Sequence, residues 1–474
     1  MSNGTHNSNA VSQPIAKSHI FLHRFGQRAL LLLGILIMIG CYQWAYINWL
    51  SVIFTYYGFE YYVPPVNYLR LAWFLSALPS LWMPIRMTRP SQLAYWILYL
   101  TVIIPSMFVP LFVKLNSPTD VAKLMIVFIV GFAICGAGYL FPLRTFKRAA
   151  LSPKVFWFGM VLLTVVCTVW VVVAFRGNIH LVSFADVYDV RDESQTVMEG
   201  TLLNYPLMWL YGAINPFLVA WGLYYKRWLV FLAGSLGQVI VYAMLGTKAS
   251  ILSIVFILLW YFLLRTDRLP FGLKLTWSIA GLFLFLCLWY AHNPTDAGLV
   301  LLGLLFLVFF RSFGLAGLLS AQYYYFFDHN PVTYYSHIKG INLFIHYPFK
   351  YPLGTEIGYY YYFPLVDTTA HFWATDGLAA LHLPGVLIAS VVCAFVLWLI
   401  DSVGQKLDMK FVALTTFYAT YSLANLSLFT TLLSGGLGLL ILFLYWMPLP
   451  SVGKVSSAAR RAILTAQPGA SPHS

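Results

Sequence analysis

The sequence predicts an all-α, polytopic integral membrane protein. We expect about 12 transmembrane helices, a re-entrant or interfacial helix, and two large loops on one side. Three observations carry this reading. Of 474 residues, 60% are hydrophobic and 9% charged, against roughly 25% charged in an average soluble domain, so the chain cannot cover a soluble surface. Apolar runs of about 17–25 residues recur, and each is long enough to cross a bilayer. The basic residues also sort unevenly between alternate connections, as the positive-inside rule requires.

The runs place spans near 29–50, 68–85, 93–113, 121–143, 155–175, 205–225, 228–245, 250–264, 275–292, 384–403, 411–431 and 434–449. Residues 1–28 form a polar tail, 29–450 the membrane domain, and 451–474 a second tail, both tails on the cytoplasmic side. No cleavable signal peptide is evident, because the first apolar run continues too far. With this topology the cytoplasmic segments collect 19 of the 28 basic residues but only Asp267, Asp401 and Asp408 among the acids. The net charge of +13 therefore reflects topology, and nucleic acid is excluded as a partner. The five cysteines lie in apolar runs without metal-ligand spacing, and read as small buried hydrophobes.

The stretch 298–327 is the awkward one. Its apolar run "LVLLGLLFLVFF" precedes "RSFGLAGLLSAQYYYFFDHNP". If it spanned, the polar segment 320–383 would enter the cytoplasm and the basic connections after it would leave. It is read as a non-spanning helix on the outer side, with an ordinary thirteenth span as the alternative.

Two outer loops, 176–204 and 293–383, are longer than the rest and mix charge, His, Tyr and Gly. In the first, "FRGNIHLVSFADVYDVRDESQ", Ser183 and Asp186 resemble a capping box. Phe184, Val187, Tyr188 and Arg191 follow at helical spacing, as an interfacial helix would place them. The outer basic residues form a small set: Arg176, Arg191, Lys248 in "GTKAS", Arg311, Lys339 and Lys350. Arginine forks suit bidentate binding of phosphate or pyrophosphate oxygens, and lysine adds a point charge. Alternatively Arg176 snorkels to headgroups and Arg191 pairs with a neighbouring aspartate. Arg311, between "LFLVFF" and "SFGLAGLL", is costly at depth unless it meets a partner or a wet cavity.

The second loop holds "DHNPVTYYSHIKG", "GTEIGYYYYFP" and "DTTAHFWATDG". Its tyrosines suit an interfacial belt, a stacking platform for sugars, or both. His371, beside Thr368, Thr369 and Asp376, is a candidate general base oriented by a carboxylate, or else caps a helix end. His337 and His329 are weaker candidates. A metal site of His371, Asp376 and Asp367 is a further alternative, but the expectation is no metal and no cofactor. The acids never occur as DxD, and no P-loop, GxGxxG, GxSxG or HExxH motif is present, so nothing points to a nucleotide sugar.

The strings "FRGNIHLVSFADVYDVRDE", "NPFLVAWGLYYKR", "LGTKASILSI" and "FFRSFGLAGLLSAQYYYFFDHNP", in that order, resemble the Wzy-type polymerases of bacterial O-antigen and exopolysaccharide repeat units. The resemblance covers roughly residues 175–330, and the first 150 residues match in topology only. It implies a fold related to the GT-C glycosyltransferases and the O-antigen ligases, in the bacterial inner membrane, with the active site on the periplasmic face. It implies an enzyme, a glycosyltransferase that joins undecaprenyl-pyrophosphate-linked repeat units without a cofactor. Its partners would be those lipid-linked units, membrane lipids, and a chain-length regulator and flippase of the same pathway. Arg176, Arg191 and Arg311 occupy the places of the family's functional loop arginines, and Lys248 is a further candidate to bind the diphosphate. His371 would take the acceptor's proton, with Asp376 orienting it. The alternatives are an O-antigen ligase and a lipid-oligosaccharide flippase or transporter.

Overall fold

The computed structural model describes residues 12–147, 149, 151–181, 190, 194, 196–198, 201–266, 268–292, 294, 298–338, 340–363, 368 and 370–449, with side chains from residue 25 onward. Among them all regular structure is helical. Eleven helices are long and apolar enough to cross a membrane: α1 (Phe25–Ile53), α3 (Gln92–Phe112), α4 (Pro118–Leu140), α5 (Pro153–Ala174), α6 (Asn204–Tyr224), α7 (Trp228–Leu245), α8 (Lys248–Arg265), α9 (Phe271–His292), α10 (Leu299–His329), α12 (Trp373–Gly404) and α14 (Leu428–Trp446). Three shorter helices complete the set: α2 (Val66–Ala77), α11 (Leu353–Tyr362) and α13 (Met409–Tyr421). Each expected span meets a helix, but those at 68–85 and 411–431 meet the shorter α2 and α13, which are not among the eleven. The helix expected at 411–431 gives way after Tyr421 to a 3-10 turn, Ser422–Ala424. The next begins at Leu428, where the Ser427 side chain accepts from Thr430 N.

Side-chain caps explain where several helices begin. Ser117 accepts from Asp120 N, Ser152 from Val155 N, and Asp408 from the backbone N–H groups of Lys410 and Phe411. Each satisfies donors that the first turn leaves unpaired, which matters most where water is scarce. The bundle centre is α3, whose whole apolar window is buried. At the rim, α5 and α8 bury only 22% and 28% of theirs, leaving Val161, Val165, Val255 and Leu259 exposed. Apolar exposure on this scale is what a lipid solvent requires.

The basic residues share one end of the bundle. Arg28 donates to Ser80 O and Met83 O, Arg89 to Phe141 O, and Lys274 to Leu263 O. Tyr445 donates to Lys147 O, and Ser91 to Asp401. We call this the basic face.

α10 is long enough to cross, about 46 Å at 1.5 Å per residue, yet its neighbours lie toward the opposite face. Phe306 and Phe310 pack on Phe54 at the end of α1. Phe309 and Phe313 pack on Phe283, which is nearer the far end of α9. Ser320 bonds Ser106 in the last third of α3, and Ala321 O accepts from Asn116 beyond it. Close approach to α3 needs Gly317, where a Cβ would lie 2.6 Å from Pro105 O. Both ends of α10 therefore sit on the side away from the basic face, consistent with a helix that enters and leaves from one side.

α12 is broken one turn in. Leu381 (φ −147°, ψ 25°) and His382 (φ 56°, ψ −142°) leave helical geometry ahead of Pro384. The carbonyls this frees are taken by the preceding loop, as Thr333 N and Tyr334 N donate to Ala379 O and Ala380 O.

Reporters fused after Lys147 and after Lys350 are expected to read opposite sides of the membrane. The same side for both would make α10 a crossing helix.

Candidate functional site

Arg311 and Asp376, both singled out by sequence, share a local geometry. Arg311 lies in a π-helical stretch, Phe306–Gly314, and Asp376 in another, Trp373–Leu378. Such widened turns re-aim side chains and recur at functional sites.

Arg311 is exposed while Phe309, Phe310 and Phe313 around it are buried. Its guanidinium is near enough to Tyr418 of α13 for its charge to act on the phenol. Tyr418 is 3% exposed. Its hydroxyl reaches Ala249 O at 3.4 Å, and its ring meets that of Tyr211 edge-on at 5.2 Å. Tyr211 lies in a third π-helical stretch, Leu210–Ile214. Ala249 follows Lys248, the first residue of α8 after the turn at Gly246 (φ 58°). Buried Tyr418 thus lies within reach of the Arg311 charge and binds the backbone carbonyl one residue past Lys248.

Arg176 is exposed just past the end of α5. Its loop is tied to the end of α7, where His180 N donates to Ala243 O at 3.0 Å. That puts Arg176 on the same face as Lys248. Arg191 and the capping-box helix expected around it lie outside the described residues, as does Lys339. Lys350 sits over the Tyr351 ring at 5.0 Å, an ordinary surface cation–π contact. The tyrosine cluster of α11 is largely structural. Tyr362 donates to Tyr57 O and accepts from Gln322, while Tyr361 donates to Gln322 O.

The expected pairing of His371 with Asp376 is not what the structure shows. Both are fully buried, but His371 Nε2 lies 2.9 Å from Ser320 Oγ and its Nδ1 accepts from Ala374 N. Since Nδ1 accepts, Nε2 carries the proton. Ser320 Oγ donates to Ala316 O and therefore accepts from both His371 and Ser106, the latter at 2.8 Å. Both ring nitrogens are thereby committed. Burial, partly opposed by the Ala316 backbone, pushes the imidazole down to about 3. A ring so weakly basic and so enclosed is a poor acceptor for a hydroxyl proton. The expected orientation of His371 by Asp376 is corrected: His371 instead ties the segment before α12 to α3 and α10.

Asp376 has another partner. Its Oδ2 accepts from Leu428 N, and its Oδ1 lies 3.5 Å from His337 Nε2. On the other side of that ring, Thr333 Oγ1 is 2.7 Å from Nδ1 and donates to Ala379 O. The threonine therefore accepts from Nδ1, and Nε2 faces the carboxylate across that 3.5 Å. His337 Nε2 and Asp376 Oδ1 are both buried without a hydrogen-bond partner, and so is the nearby hydroxyl of Tyr335. Buried orphans of this kind are uncommon and cluster where a ligand or proton is handled.

The loop that delivers His337 is strained. Tyr334 and Tyr335 hold φ of 50° and 65°, a conformation costly for any residue but glycine. Nothing in "NPVTYYSH" announces the left-handed turn that brings His337 to Asp376, and Tyr418 lies in "TTFYATY", which reads as an apolar run. Among the described residues, no group of three or more His, Cys, Asp or Glu side chains is placed to hold a metal ion.

With eleven membrane-crossing candidates, the chain is a multi-pass membrane protein. No protein-family model, no curated protein and no solved structure matches it.

If His371 is structural, His371→Ala should lower the unfolding temperature of the solubilised protein, at a cost of about 1–3 kcal/mol for the orphaned partners. Ser106→Ala should do so less. The pH dependence has a definite sign. Because the folded-state pKa is depressed, protons favour the unfolded chain, so this contribution to stability is lost as pH falls from about 6.5 toward about 3. Unchanged unfolding in His371→Ala would remove the structural role.

Proposed function

We propose that this protein is a glycosyltransferase that polymerises lipid-diphosphate-linked oligosaccharide repeat units, undecaprenyl pyrophosphate being the carrier, on the membrane side opposite its basic face. The observation that carries the reading is Arg311, exposed in an otherwise apolar helix with its charge acting on buried Tyr418, whose hydroxyl binds the carbonyl next to Lys248. An arginine inside an apolar helix has to have a use or a partner, and a lipid diphosphate brings its charge to that depth. By the positive-inside rule the basic face is cytoplasmic, which puts the site on the periplasmic side of a bacterial inner membrane. A flippase would supply the units, and a chain-length regulator would act on the product.

In this reading a hydroxyl of the incoming unit attacks the anomeric carbon of the chain held on its lipid diphosphate. The new C–O bond forms as the bond to the phosphate oxygen breaks, and the diphosphate leaves with the electron pair. Arg311 and Lys248, with Arg176 at the rim, stabilise the charge gathering on the departing group. The hydroxyl proton goes to the pair of His337 and Asp376, whose facing atoms, Nε2 and Oδ1, have no hydrogen-bond partner of their own. Such assistance is typically worth about 10²–10⁴ in rate.

Turnover of purified protein with lipid-linked repeat units tests the reading. Arg311→Ala should lower it by about 10²–10³, the cost of removing one donor from a developing anion. Arg311→Lys should recover only part, because a point charge does not replace a planar fork. His337→Gln should lower it further than His371→Gln does. In cells, loss of activity should leave single repeat units on the acceptor. Bare acceptor would make the protein a ligase instead, and wild-type polymer from Arg311→Ala would end the proposal.

A further inference from the structure

A second site lies at the other end of the molecule. On the basic face a cavity of about 290 Å³ opens where the connection before α3, the turn from α8 to α9 and the start of α13 meet. Four cations line it, Arg86, Arg268, Lys274 and Lys410, beside apolar residues such as Leu264 and Leu269. No acidic side chain is among the described residues that line it. The neighbouring Asp408 has its carboxylate on the backbone N–H groups of Lys410 and Phe411, and Asp267 lies outside the described residues. Basic loops follow from topology alone. Four cations from three segments around one concave space do not, because like charges brought together repel unless an anion lies between them.

The cavity is built in advance of any ligand. Gly272 N donates to Ile85 O at 2.8 Å, and Trp96 Nε1 to Pro84 O at 3.0 Å, so the residues before Arg86 are fixed to α9 and α3. Lys274 Nζ donates to Leu263 O and Thr266 O, which anchors the end of α8. The mouth borders lipid. α8 buries only 28% of its apolar window, and Phe262 and Leu269 are 60% and 59% exposed.

We infer that this cavity binds the phosphate headgroup of an anionic membrane lipid. The arginines grip phosphate oxygens through paired N–H groups and the lysines add charge. The apolar half of the lining receives the glycerol and the first acyl carbons. A soluble phosphate has no use for that half, and a zwitterionic lipid brings its own ammonium to the four cations. Basic pockets between transmembrane helices suit such headgroups. The site is independent of the transferase chemistry.

The full chain in nanodiscs containing phosphatidylglycerol, with phosphatidylcholine as the neutral host, tests it by native mass spectrometry of retained lipid. Wild-type protein should retain phosphatidylglycerol over phosphatidylcholine. The triple variant Arg86→Gln, Arg268→Gln, Lys410→Gln should retain at least roughly tenfold less, each headgroup cation being worth several-fold. Lys274 is left in place because it anchors α8. A control triple variant, Arg144→Gln, Lys147→Gln, Lys406→Gln, removes the same charge from the same face outside the cavity and should retain wild-type lipid. Inorganic phosphate at millimolar concentration should not displace the lipid. Equal loss in both triple variants would reduce the effect to bulk surface charge, and displacement by phosphate would make the ligand a soluble anion. Undiminished binding by the first variant would remove the site.

Discussion

The constraint that orders this molecule is the cost of a polar group that water cannot reach. In a bundle that faces lipid, a carboxylate, imidazole or guanidinium must find its partners inside the protein or sit at an end. Asp401 illustrates the solved case. It is 1% exposed near the basic end of α12 and accepts from both the backbone N–H and the hydroxyl of Ser91, at 2.9 and 2.7 Å. Ser91 in turn contacts Tyr139 at 3.0 Å. α12 is thereby bound to the segments leading into α3 and out of α4. His371 with Ser320 and Ser106 is the equivalent at the other end, binding the start of α12 to α10 and α3. These two chains of hydrogen bonds hold the helix that carries Asp376.

Against those satisfied groups, the unsatisfied ones gain meaning. Asp376 receives one backbone N–H and keeps one oxygen 3.5 Å from an imidazole nitrogen, outside hydrogen-bond contact. Had the cluster only to hold the fold, a threonine or asparagine in place of the carboxylate would complete the bonding at lower cost. The strained tyrosines before His337 point the same way. Strain persists where the surrounding structure over-determines it, and here Thr333 and Tyr334 are held by the carbonyls freed at the break in α12. The break thus supplies the anchors that hold the loop, and the loop delivers the histidine.

Much of the fold was legible because hydropathy and charge sorting report directly on the two solvents, lipid and water. The boundary near 421–428 was not, since threonines in α13 bond their own helix carbonyls, as Thr416 and Thr420 do, and so pass as apolar. The non-spanning reading of 298–327 rested on charge bookkeeping, and the contacts of α10 with Phe54, Phe283 and Asn116 agree with it. Arg311 was legible from its cost alone. The partner of Asp376 was not legible, because proximity in sequence favoured His371, five residues away, whereas a helical turn there directs the two side chains to different neighbours. His337 reaches Asp376 from 39 residues away by a turn that no glycine marks.

The two ends of the molecule therefore use the same residue types under opposite rules. At the basic face, cations are numerous and their positions follow from topology, so only a shared cavity distinguishes four of them. At the opposite face cations are few, and each has to be accounted for singly. Arg311 stands out there because its helix could have placed any apolar residue at that position without loss of packing. Its widened turn carries the guanidinium out from among three buried phenylalanines. A helix that gives up regular hydrogen bonding to present one charge is keeping that charge available. In the function proposed above, the ligand that repays this is an anion that arrives at the same depth, on a carrier that is itself a lipid.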